Sequence, residues 1–98
     1  RLNYMSSFPF EDKTFVDLME AILQQSQNKK SVLCNAMAEA KNDSTTNLIP
    51  YYTLDCALTY LTYKEIKECN NPSPDILKKL EERAAENMNK MKQIHEKN

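Results

Sequence analysis

Glycine does not occur in this 98-residue sequence. Glycine is the ordinary residue wherever the backbone must take a positive φ, as in tight hairpins, phosphate-cradling loops and nucleophile elbows. Its absence argues against tight β-hairpins, a Walker-type loop and a dinucleotide fingerprint, and leaves the helix as the natural element. A charge excess of either sign is also missing: 13 Lys and Arg oppose 14 Asp and Glu, for a net charge of −1. No basic footprint for nucleic acid or for an anionic membrane surface follows from that balance. No apolar run approaches the ~18 residues that span a bilayer. The stretch from Arg1 to Phe10 has no apolar h-region and does not read as a signal peptide. An Arg at position 1 suggests an excised domain or a processed product, from which targeting signals have been removed.

Closely spaced metal ligands are lacking as well. Cys34, Cys56, Cys69 and the single histidine, His95, are separated by 22, 13 and 26 positions. Structural zinc sites use local pairs such as C-x₂-C, so no metal and no cofactor is expected. An odd number of cysteines disfavours a complete disulfide framework, and the expected state is three buried small hydrophobes in a reducing compartment. One bridge plus a free thiol is the alternative. Asn42-Asp43-Ser44 fits the glycosylation triplet, which matters only for a secreted protein. Catalysis by a Ser or Cys nucleophile needs a base nearby. His95 falls at the end of the last helix and reads instead as a solvated cation that interacts with the helix dipole.

What is present is helical periodicity. Residues 1–10 read as an arm whose Phe8, Pro9 and Phe10 plug the bundle. A helix near 12–27 begins at Asp12, a good capping residue. Phe15, Leu18, Met19, Ile22 and Leu23 share one face, with Glu11, Asp17 and Glu20 on the wet side. Val32, Leu33, Ala36, Met37 and Ala40 resume a stripe over 31–41. A single helix over 12–41 is conceivable because the 4-3 spacing is continuous. A break near Asn28–Ser31 is the better expectation, since 30 residues is long for so small a domain. Asn42 to Asn47 has loop chemistry.

Residues 49–69 are ambiguous, because Tyr, Thr and Leu suit either a helix or a strand. A strand needs an alternating partner, which the rest of the sequence does not supply. A helix apolar over much of its circumference belongs at the centre of a bundle. Asn70 to Asp75 stops that helix, and Ser73-Pro74-Asp75 starts another over 74–96. The expected fold is all-α: one domain, four helices near 12–27, 31–41, 49–69 and 74–96.

Candidate surfaces follow from that frame. Leu77, Leu80, Ala84, Asn87, Met91 and Ile94 keep heptad spacing, with Asn87 either fixing the register of a paired helix or lying at the rim of an antiparallel bundle. Glu86 and Lys90 form an i,i+4 pair. Tyr51, Tyr52, Tyr60 and Tyr63 crowd into 13 positions, so some should reach the surface, either as core residues with a wet hydroxyl, the better expectation, or as interface anchors. Asp55, inside this apolar stretch, is expected to bond a tyrosine hydroxyl. Glu81, Glu82 and Glu86 sit among Lys78, Lys79, Arg83 and Lys90, as on a solvated face. Ser73-Pro74 is a minimal proline-directed phosphorylation context, for which chance occurrence and simple capping are the better account. The function expected is a non-catalytic interaction or scaffold domain of an intracellular protein, docking another protein or a second copy helix-in-groove. Its contact residues would be Tyr51, Tyr52, Tyr60, Tyr63, Leu77, Leu80, Asn87, Met91 and Ile94. The alternative is a small secreted helical carrier of an apolar ligand.

Overall fold

A computed structural model describes residues 8–43 and 47–97. A short 3-10 turn, Pro9–Glu11, leads into α1 (Lys13–Gln25), α2 (Lys30–Asp43), α3 (Ile49–Lys67) and α4 (Pro74–Lys97). There is no strand among the described residues, so the chain is an all-α four-helix bundle. The helix boundaries fall within two positions of those read from periodicity.

Local chemistry explains each start and stop. Asp12 caps α1 by accepting a bond from the Phe15 amide at 3.2 Å. The break after α1 lies at residues 26–29, slightly earlier than expected. There the Asn28 amide returns to the Leu23 carbonyl at 2.9 Å, while Gln27 and Asn28 take φ of 57° and 58°. Asn tolerates this left-handed region, and the turn is made without glycine at some backbone cost from Gln27. Asn42 and Asp43, expected in a loop, form the last turn of α2 instead, and residues 44–46 of that loop lie outside the described residues. Ser73 caps α4 through the Ile76 amide at 3.4 Å, with Pro74 in the first position as anticipated.

The ambiguity of α3 resolves through its threonines. The hydroxyls of Thr53, Thr59 and Thr62 each donate to the carbonyl one turn back, at 2.8, 2.7 and 3.0 Å. This back-bonding lets a β-branched residue sit in a helix with its hydroxyl satisfied. α1, α2 and α4 all pack on α3. The core is accordingly built around it: Cys56, Ala57, Tyr60 and Leu61 meet Met19 and Leu23 of α1, Leu33 of α2 and Ala84 of α4. On α2 the only buried residue is Leu33, and the helix's ion pair to α3, Lys30 with Glu65 at 2.6 Å, is half exposed.

Four expectations are corrected. Leu18, on the apolar stripe of α1, is 52% exposed. Glu20 is only partly wet: half-buried, it accepts bonds from the Tyr60 hydroxyl at 2.8 Å and from Lys64 at 3.0 Å. Those donors, Lys64 first, hold its carboxyl below the ordinary range, while burial pushes the Tyr60 phenol up to about 12. Glu81 is buried rather than solvated. Of the cysteines, only Cys56 is buried; Cys34 and Cys69 are exposed, and all three thiols are free.

Thiol reactivity should differ accordingly. Burial pushes the Cys56 thiol up to about 12, and its Sγ donates to the Ala84 carbonyl at 3.8 Å. The thiolate is the reacting species, so a buried thiol of this kind is inert. In native buffer a disulfide reagent should label Cys34 and Cys69 promptly and Cys56 only after denaturation. Rapid native labelling of all three would contradict the packing of α3 on α4.

Candidate functional site

The tyrosines and the α4 seam, singled out as contact residues, divide into inward and outward groups. Tyr60 is 7% exposed, with its hydroxyl committed to Glu20, so it packs in the core. Tyr51, Tyr52 and Tyr63 are half-buried, and each carries a lysine over its ring: Lys41 at 5.6 Å, Lys90 at 5.6 Å and Lys67 at 5.5 Å. Phe10 lies against Tyr60 and Tyr63, with ring centroids 5.1 and 4.8 Å away. The aromatic surface of α3 is thus largely occupied by the molecule's own groups.

Asn87 is likewise turned inward. Its Nδ2 donates to Oδ2 of Asp55, and Arg83 donates twice to the same carboxylate, at 3.0 and 2.9 Å. Asp55 therefore bonds an arginine and an asparagine of α4, where a tyrosine hydroxyl was expected. Asn87 is buried at the α3–α4 interface of the chain, away from a solvent-facing rim. Its heptad neighbours Leu77, Leu80, Met91 and Ile94 are half-buried, because the α4 stripe is covered mainly by α3. The Glu86–Lys90 pair forms as expected, at 3.6 Å on the surface.

An apolar groove lies open between three of the helices. Phe15, Leu18 and Met19 of α1 face Met88, Met91 and His95 of α4 across a floor made by Ile49 and Thr53 of α3, enclosing a groove of about 300 Å³. The Thr53 hydroxyl bonds the Ile49 carbonyl at 2.8 Å and lies 3.2 Å from the Met91 sulfur, so the floor offers little free polarity. Met91 alone among the expected contact residues belongs to it. The signal for the others was faint but present: α1 carries Phe15, Leu18, Met19, Ile22 and Leu23, more apolar width than one helix face buries.

Among the described residues no group of three or more His, Cys, Asp or Glu side chains is placed to hold a metal ion, and no helix is long and apolar enough to cross a membrane. No protein-family model matches the sequence, and comparison with curated proteins and with solved structures likewise finds no match.

Proposed function

We propose that this domain is a non-catalytic interaction module that takes an amphipathic helix of another protein into the α1–α3–α4 groove. The observation that carries the reading is Leu18, half exposed on the lip of a groove whose lining is apolar on all three sides. Three flexible thioethers, Met19, Met88 and Met91, line it. Methionine adapts to irregular partners and is common on surfaces that receive helices. A volume of about 300 Å³ suits two or three anchor side chains at helical spacing.

A photoreactive amino acid at position 18, compared with one at exposed Val32 on α2, tests this. The expected result is covalent capture of a defined polypeptide from position 18, mapped to a helical segment, and none from position 32. Leu18→Lys and Met91→Lys should abolish binding of the mapped peptide with the fold retained. Equal capture from both positions, or none from either, would overturn the proposal. A second reading, a carrier of a small apolar ligand, draws on the same lining, because small-molecule sites begin at about 300 Å³. In that case dodecanoate would shift the NMR signals of Met88 and Met91, and no polypeptide would be captured.

A further inference from the structure

The N-terminal turn is held to the bundle by an uncommon contact. Pro9 is fully buried, and the Phe10 ring fits between Phe15, Tyr60 and Tyr63. The Phe10 amide donates to Oε2 of Glu81 at 3.3 Å. Glu81 is 6% exposed, and this neutral backbone donor is its one hydrogen-bond partner among the described residues. A buried carboxylate is ordinarily compensated by a cation. Here the charged groups that face it are Glu11 on the turn itself, which repels it, and Lys67 on α3, whose ammonium lies over the Tyr63 ring. Along α4, its neighbours one turn away are Leu77, Lys78, Ala84 and Ala85, of which Lys78 is exposed.

We propose that residues 8–11 form a strap latched by Glu81, which closes firmly over Tyr60 and Tyr63 in acid and loosens as pH rises. Lifting the strap rehydrates the Glu81 carboxylate and separates it from Glu11, so the open state favours the ionised form. Burial, acting first, raises this carboxyl above its ordinary range, ahead of the opposing bond from Phe10. The latch is therefore fully effective below the ordinary carboxyl pKa and is weakened as pH rises through the raised one. Opening uncovers the rings of Tyr60, Tyr63 and Phe15, an aromatic surface of the kind that anchors partners.

Amide hydrogen exchange of Phe10, divided by its intrinsic rate at each pH, reads the strap directly. From ~pH 5 to ~pH 8 the protection of Phe10 should fall severalfold, while that of Leu23 in α1 stays level. In Glu81→Gln the Phe10 profile should become flat, with helical circular dichroism unchanged. Glu11→Gln, an exposed change that leaves the latch in place, should keep more protection at the upper pH. A flat wild-type profile, a fall that survives in Glu81→Gln, or a Glu11→Gln profile indistinguishable from wild type each overturns the latch. Should Glu81→Gln lose its helical signal, the wild-type and Glu11→Gln profiles decide.

Discussion

Leu23→Ala is expected to destabilise the domain by about 2–5 kcal/mol, the range for removing a fully buried leucine. Leu23 is 1% exposed and sits in the core cluster with Met19, Leu33 and the inner face of α3. Its carbonyl also receives the Asn28 amide and the Ser26 hydroxyl, so the residue that fills the core also ends α1. Neighbours held by two turns at once relax poorly into a cavity, which favours the upper part of the range. A domain of this size has about 5–15 kcal/mol in all, and each kcal/mol moves its midpoint by about 4–8 °C. Thermal melting should therefore show a loss of at least ~8 °C. Leu18→Ala, five positions away on the exposed groove lip, should stay within ~0.5 kcal/mol of wild type. Equal losses at the two positions would mean that α1 presents a different face to α3.

Asn87→Leu is the second large test, and its sign carries the information. A seam asparagine in a paired coiled coil costs stability, so leucine there would strengthen the assembly. In this fold Asn87 donates to the buried Asp55 carboxylate. Removing that donor leaves Asp55 with Arg83 alone, whose side chain is 62% exposed and screened by solvent. A loss of about 1–3 kcal/mol is expected by chemical denaturation. Adding Asp55→Ala should recover part of it, because removing both polar partners is less harmful than stranding one. The coupling between the two changes measures the bond itself. A stabilised Asn87→Leu protein of larger mass in solution would reinstate the intermolecular seam.

The buried polar groups also show where reading by periodicity stops. The buried Asp55, Glu81 and Asn87, and the half-buried Glu20, differ little in local context from the charged residues beside them. Glu81 is followed by Glu82, which is exposed, and the two are one helical step apart. Whether such a group is solvated depends on what a distant segment brings to it. Phe10 reaches Glu81 across 71 positions, and Tyr60 reaches Glu20 across 40. The candidate groove has the same character, since its walls come from three helices and only Met91 lay on a surface that the sequence had marked.

Short-range chemistry was enough to define the elements. The glycine-free composition, the capping by Asp12 and Ser73, and the stops at Asn28 and Asn70–Pro72 act within one or two turns of the chain. The central place of α3 was legible too, because a helix apolar on nearly every side has no stable place at a surface. Which part of each stripe lies inside could not be read from any single helix. Packing three helices around one leaves some apolar width uncovered, so burial or exposure at Leu18, Glu81 and Asn87 is a property of the assembled bundle.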